Sequence, residues 1–85
     1  NYPNPFNPAT TIEYSLPTRS EVSIVIYNIL GQEVKSLVNT TKPAGNHVTN
    51  WDGTSQSGQP VASGVYFYRI KADDYVSSKK MLLLK

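Results

Sequence analysis

Few residues of this 85-residue chain could carry catalytic or metal chemistry, and they are scattered along it. His47 is the only histidine, so a catalytic pair or a histidine-rich site would lack a second imidazole, and a structural role is favoured. Asp52 could offer oxygens to calcium with Asn50 and Thr54, but calcium takes about 6–8 oxygen ligands and this loop holds a single carboxylate. Because no nucleophile, base and orienting group can be assembled, we expect no enzyme, no metal site and no cofactor.

Length and composition indicate one small domain spanning residues 1–85. A chain of this size removes only roughly 60–65% of its unfolded surface from water, which leaves little room for a catalytic cleft. It has no cysteine for a disulfide, and its net charge of +2 is too dispersed to predict nucleic-acid binding. No run approaches the roughly 20 apolar residues that span a bilayer. Since the first residue is Asn1 rather than Met, we expect a piece of a longer protein whose targeting signal lies elsewhere.

Apolar and polar residues alternate along most of the chain, which is the pattern of β-strands with one face in a core. Val22, Ile24 and Ile26 fall on one face of a strand whose other face is also partly apolar, as expected of a central strand. The predicted strands are 11–16, 21–27, 33–38, 47–51, a short edge segment at 60–62, 64–72 and 75–84, with a loop or edge crossing at 39–45. About seven short strands separated by turns predict an all-β fold, an immunoglobulin-like antiparallel β-sandwich with no helix.

Two turns are predicted from residue type. Asn28 to Gly31 fits a type I turn, because Asn at the first position bonds its own backbone and Gly at the fourth takes a positive φ. Asp73 and Asp74 lie between the last two strands and are expected to cap that turn. Acid–base chemistry would need two carboxylates in different environments, which adjacent turn residues do not offer.

The opening residues lack strand patterning. Pro3, Pro5 and Pro8 remove backbone donors and fix φ, so this segment is not a central strand. We expect residues 1–9 to form a proline-rich strap with Tyr2 and Phe6 as apolar anchors, and residues 10–85 to form the sandwich.

Several segments, taken together and in order, resemble a known family. They are residues 1–12 (NYPNPFNPATTI), 27–34 (YNILGQEV), 44–47 (AGNH), 51–53 (WDG), 63–66 (SGVY) and 80–85 (KMLLLK). They are similar to the type A C-terminal sorting domain of the type IX secretion system, over the full length of the chain. Asn28 stands where relatives commonly have Asp and Asp73 where many have Gly, but both are turn positions that tolerate Asn or Asp. The sandwich pattern also resembles the immunoglobulin-like domain of flagellar hook-capping proteins.

The resemblance implies a noncatalytic C-terminal secretion signal that directs a cargo protein through the type IX secretion system. In that family the domain ends a secreted cargo protein, is recognised at the outer membrane, and is often cleaved as the cargo is attached to the cell surface. The implied partners are the outer-membrane secretion translocon, the sorting peptidase and a fused N-terminal cargo domain. The implied location is secreted or at the cell surface, reached through the periplasm and the outer membrane.

The closing strand is expected to bind the partner. Its candidate residues are Lys80, Met81, Leu82, Leu83, Leu84 and Lys85. Consecutive apolar residues make both faces apolar, although exposed edges are usually kept polar. A mixed face carrying Phe67, Arg69 and Lys71, with Lys79, Lys80 and Lys85 close by on the closing strand, is either a docking surface or an ordinary solvated strand face.

An alternative function is a carbohydrate-binding accessory domain of a secreted hydrolase. Trp51 or Tyr75 would then be an exposed platform for sugar rings, although a Trp that ends a sandwich strand is more often part of the core. Two or more coplanar rings on one open face would favour sugar binding, whereas buried rings would favour the sorting role.

Overall fold

The protein's structure, a computed structural model, describes residues 10–84. Its strands are β1 (Thr10–Leu16), β2 (Ser20–Tyr27), β3 (Glu33–Lys42), β4 (Gly45–Trp51), β5 (Gly64–Ala72) and β6 (Tyr75–Leu83). No helix occurs in this range, so none is long and apolar enough to cross a membrane. The predicted strap at residues 1–9 and the terminal Lys85 lie outside the described residues.

The six strands form two antiparallel sheets. One sheet pairs β1 with β4, from Thr10 opposite Trp51 to Leu16 opposite Gly45. The other has the order β3-β2-β5-β6, so β2 and β5 are central and β3 and β6 are edges. The predicted all-β, immunoglobulin-like sandwich is confirmed.

The core lies between the sheets because alternate residues of each strand point inward. Ile24 and Ile26 of β2 are fully buried, and Ile24 is paired with Ile70 of β5. The other sheet contributes Ile12, Leu16 and Trp51 from its inner face. The complete buried apolar cluster is Ile12, Leu16, Val22, Ile24, Ile26, Val38, Trp51, Tyr66, Ile70 and Leu83.

Strand β3 is longer than the sequence pattern predicts. Of the predicted loop or edge crossing at 39–45, only Pro43 and Ala44 lie outside a strand, because edge strand β3 continues through Lys42 and β4 begins at Gly45. Thr40 and Thr41 pair with Val22 and Glu21, and β-branched threonines suit an exposed strand edge. The alternation of apolar and polar residues does not reveal this extension, because the consecutive residues Asn39, Thr40 and Thr41 are all polar and exposed.

The short edge segment predicted at 60–62 is an isolated bridge between Thr54 and Pro60. Proline has no backbone N–H, so it cannot sustain a regular strand ladder on its donor side. Val61 N still donates to the carbonyl oxygen of Gly53 (3.0 Å), which closes the loop between β4 and β5. Among residues 10–84 the sandwich therefore has six full strands and this bridge.

The predicted turn between β2 and β3 is confirmed. Gly31 N donates to the carbonyl oxygen of Asn28 (3.0 Å), and Gly31 has a φ of +80°. The side-chain Oδ1 of Asn28 accepts from the backbone N of Leu30 (2.9 Å) and of Gln32 (3.0 Å). Asparagine therefore fixes the turn through its side chain as well as its backbone.

The Asp73–Asp74 turn is also confirmed as the link between β5 and β6, since Ala72 pairs directly with Tyr75. Asp73 has a φ of +51°, a conformation that Asp tolerates better than most residues. Its Oδ1 accepts from Glu21 N (2.9 Å), and its own N donates to the Glu21 carbonyl (3.0 Å). The carboxylate thus holds the turn against β2.

Replacing Gly31 by valine should destabilise the fold by about 1–3 kcal/mol, the usual cost of a non-glycine residue held in the left-handed region. A Cβ at this position meets no atom within 4 Å, so the cost is conformational rather than a steric clash. The matched control Gln32→Val removes one exposed side-chain hydrogen bond, from Asn28 Nδ2, and should cost less than about 1 kcal/mol. Urea unfolding of both variants checks this, and equal midpoints would contradict the role of Gly31.

Candidate docking surface

The closing strand β6 is an edge of the four-stranded sheet, paired on one side with β5. On its other side no strand among residues 10–84 pairs with it. An edge strand presents unpaired backbone donors and acceptors, which another extended chain can use. The candidate binding residues lie on this edge strand and directly after it, at the end of the described residues.

Five of the six predicted binding residues lie in the described range, and they divide into two groups. Leu83 is buried with 1% of its surface exposed, and Met81 packs partly buried against the core. Leu82 is 58% exposed and Leu84 is 70% exposed, while Lys80 is exposed on the same side as Leu82. Lys85 lies outside the described residues. The strand is therefore anchored by alternate side chains and presents the others to solvent.

The solvent side of the four-stranded sheet, here called the outer face, continues from Lys80 and Leu82 onto β5. Val65 pairs with Leu82 and Phe67 pairs with Lys80. Both β5 side chains are exposed, so an apolar strip crosses the two strands. Of the predicted mixed face, Lys79 is the exception, because it pairs with Tyr68 and lies on the opposite side of β6.

Cations border this apolar strip. Arg69 lies over the ring of Tyr27, with its guanidinium carbon 5.6 Å from the ring centroid. Among residues 10–84 the salt bridge is between Lys35 and Asp52 (3.6 Å), so Arg69, Lys71 and Lys80 pair with no described carboxylate. Sequence reasoning missed Tyr27, whose part in holding Arg69 follows from the pairing of β2 with β5.

Trp51 is a core residue and not a sugar platform. It has 0% exposed surface and packs edge-on against Tyr66, with 5.1 Å between ring centroids. Its Nε1 donates to the carbonyl oxygen of Thr54 (2.8 Å), and Tyr66 Oη donates to that of Ala62 (2.7 Å). Tyr75 is 64% exposed on β6, so of the two candidate platforms only Trp51 is enclosed.

His47 makes contacts that hold the fold together. Its Nε2 lies 2.7 Å from the Pro43 carbonyl oxygen, and its ring stacks on Tyr14 with 5.3 Å between centroids. The hydrogen bond links β4 to the β3–β4 connection, and the ring stacking links β4 to β1. Burial raises the pKa of Tyr14.

Asp52 belongs to a small polar network in the loop after β4. Its Oδ1 accepts from Thr54 Oγ1 (2.6 Å) and Thr54 N (3.1 Å), and Lys35 Nζ donates to Thr54 Oγ1 (2.9 Å). The hydrogen bond from the Thr54 side chain, assisted by the Lys35 charge, lowers the pKa of Asp52. Within residues 10–84 no group of three or more His, Cys, Asp or Glu side chains is arranged to hold a metal ion.

The Asp52→Asn variant should be less stable than the parent by about 0.5–1 kcal/mol at neutral pH, as expected for a largely exposed charge. Because the folded-state pKa is lowered, the stabilisation is present above the ordinary aspartate pKa and is lost as pH falls through the folded value. The difference between variant and parent should therefore shrink in acid. Denaturant unfolding across the acid range tests this, and a pH-independent difference would contradict it.

A groove of about 550 Å³ opens between β1 and the inner side of β5 and β6. It exists because a two-stranded sheet faces a four-stranded one and leaves part of the wider sheet uncovered. Tyr14, Tyr68 and Tyr75 contribute to its walls. Sequence reasoning missed this groove, since strand order within a sheet carries no local sequence signal.

The chain is similar to known proteins both in sequence and in fold. The family model of the FlgD Ig-like domain matches residues 7–75. A crystal structure of FLGD from P. aeruginosa superposes with a TM-score of 0.69 at 23% sequence identity. The aligned region covers 88% of this chain and 60% of that chain, and at this identity the likeness shows the fold. No curated protein matches the chain.

Proposed function

This chain belongs to the FlgD Ig-like domain family, and from that premise we propose that it is a noncatalytic module recognised by a protein partner. More specifically, we propose a C-terminal sorting domain that directs a fused cargo protein through the type IX secretion system. One observation carries the proposal. Among residues 10–84 no strand pairs with the outer edge of the closing strand, and Leu82 and Leu84 are exposed where a folded domain normally keeps its edge polar.

The geometry of β6 suggests how a partner protein would bind it. Leu83 fixes the strand in the core, so the backbone of its outer edge and the outward side chains keep a constant position. A partner strand could add to the edge through main-chain hydrogen bonds. Lys80 and Leu82, on alternate positions of the outer face, would then supply specificity.

The segments that resemble the type IX sorting domain support the identity of the partners. They would be the outer-membrane secretion translocon and the sorting peptidase, with a cargo domain fused before this chain. The cargo would pass through the periplasm and the outer membrane, and would be secreted or held at the cell surface.

Delivery of a reporter tests the proposal. Residues 1–85 are fused to the C-terminus of a periplasm-directed fluorescent reporter in a host that has this secretion system. We expect the reporter at the cell surface or in the medium, and we expect delivery to be lost when residues 81–85 are deleted. Reporter retained in the periplasm with the intact domain would overturn the sorting function.

A second variant separates recognition from folding, because the deletion also removes the buried Leu83. In Leu82→Glu/Leu84→Glu both changed side chains are mainly exposed, so the fold should persist. Delivery should fall about tenfold or more, the usual effect of losing central contacts at an interface. Unchanged delivery by this variant would show that the secretion machinery does not recognise the exposed leucines.

The family match favours a second candidate, an assembly role like that of a hook-capping protein. The observation behind it is the match of residues 7–75 to the FlgD Ig-like domain, together with the shared fold. The test is to replace the Ig-like domain of a hook-capping protein with this chain and to measure flagellar assembly. Restored assembly without reporter delivery would favour this candidate over sorting.

A further inference from the structure

The turn between β2 and β3 presents two large aliphatic side chains to solvent. Ile29 is 70% exposed and Leu30 is 76% exposed. A turn tip is normally polar, and neither side chain contributes to the buried core. Exposed apolar residues that cluster with other apolar surface mark interaction sites.

Asn28 holds this tip in one conformation. In addition to the bonds to Leu30 N and Gln32 N, its Nδ2 donates to Gln32 Oε1 (2.9 Å). The backbone closes the turn at both ends, since Asn28 N donates to the Gln32 carbonyl oxygen (3.0 Å). A preorganised turn loses less conformational entropy on binding than a loose one.

The tip is continuous with the outer face of the sheet. Ile29 and Gly31 share a shallow depression of about 380 Å³ with Tyr27, Phe67 and Arg69. Phe67 pairs with Lys80, and the neighbouring Val65 pairs with Leu82. The exposed apolar residues Ile29, Leu30, Val65, Phe67, Leu82 and Leu84 therefore gather at one end of the four-stranded sheet.

We infer that the β2–β3 turn and this end of the outer face form one docking surface for a protein partner that presents an apolar projection bordered by carboxylates. Ile29 and Phe67 line the same depression and provide the apolar centre, with Leu30 exposed next to Ile29 at the tip of the turn. Arg69 and Lys80 provide the charge complementarity, because neither pairs with a carboxylate among residues 10–84. The inference rests on the proposed sorting function, and adds the turn to the surface that the secretion machinery reads.

The charge pattern favours a protein over an anionic membrane. Recognition of a lipid surface typically uses clusters of about 4–8 Lys or Arg, whereas the outer face holds Arg69, Lys71 and Lys80. Asp73 and Asp74 lie at the opposite end of β5 from this surface, so their charges do not contribute to it. A partner with a few localised carboxylates matches this small number of cations.

Reporter delivery by matched variants tests the inference. Ile29→Ser/Leu30→Ser removes the aliphatic contacts with residues that suit a turn, and Lys80→Glu reverses one bordering charge. Each should reduce delivery about tenfold, as for central interface residues. The controls are Val48→Ser, an exposed apolar residue on the other sheet, and Arg19→Glu, an exposed cation in the β1–β2 connection; both should be delivered normally.

An additional variant, Asn28→Ala, keeps both aliphatic side chains but removes the bonds that fix them. It should reduce delivery less than the Ser/Ser variant, and Asn28→Asp should restore it, because Asp retains the acceptor oxygen. Circular dichroism of each purified domain verifies folding before delivery is compared.

The outcomes distinguish this inference from the sorting function itself. Normal delivery of the Ser/Ser variant, with loss of delivery for Leu82→Glu/Leu84→Glu, would overturn the role of the turn and leave the sorting function standing. Failure of the unchanged domain to be delivered would overturn both. Sedimentation showing a dimer that the Ser/Ser variant dissolves would assign the surface to a second copy, and binding to phosphatidylglycerol vesicles would assign it to a membrane; either result would overturn the inferred partner.

Discussion

Truncation of Trp51 to alanine is expected to destabilise the domain by about 3–5 kcal/mol, the range for removing a large buried aromatic side chain. Trp51 is fully buried, its ring packs against Tyr66, and its Nε1 is bonded to the Thr54 carbonyl oxygen. The change therefore leaves a cavity and a buried acceptor that has lost its donor. Since a small domain has only about 5–15 kcal/mol of stability in total, this single substitution removes a large part of it.

The measurement is thermal unfolding followed by circular dichroism, because Trp51 is the only tryptophan and the variant has no indole fluorescence. The melting temperature should fall by more than about 12 °C for a domain of this size. Tyr75→Ala is the matched control, since its exposed ring should be removable at a cost of about 0.5 kcal/mol or less. Similar melting temperatures for the two variants would contradict the core assignment of Trp51.

The same substitution at two adjacent leucines of the closing strand should change the free energy of unfolding by very different amounts. Leu83→Ala is expected to cost about 2–5 kcal/mol because Leu83 is fully buried in the cluster that joins the two sheets. Leu82→Ala should change stability by about 0.5 kcal/mol or less, since that side chain points to solvent. Guanidinium unfolding of both variants measures the difference.

Reporter delivery provides the complementary comparison for this pair. Leu82→Ala should reduce delivery although the domain remains folded, because its side chain lies on the proposed docking surface. A variant at Leu82 that is unstable, or one at Leu83 that is as stable as the parent, would mean that the register of β6 on β5 is wrong. The same residue type thus tests anchoring at one position and recognition at the next.

Much of the fold could be predicted because strand alternation is a local property. Ile12 and Leu16 in β1, and Val22, Ile24 and Ile26 in β2, mark the buried face directly in the sequence. Turn chemistry was equally local, since Asn28 and Gly31 occupy the positions that a type I turn requires. The boundaries failed where this contrast vanishes, as in the polar end of β3 from Asn39 to Lys42.

Alternation and turn residues were legible in the sequence, so the strands of the core and the turns at Asn28–Gly31 and Asp73–Asp74 could be predicted from it. The burial of Trp51, the position of β6 at a sheet edge and the opposite faces of Lys79 and Lys80 followed only from how the strands pack and pair. The tertiary structure also brought Ile29 and Leu30 to the same end of the sheet as Leu82, more than fifty residues away in the chain. The physical reason is that strand order and register are set by the simultaneous burial of several strands, so the composition of a surface built from three of them is not contained in any one segment.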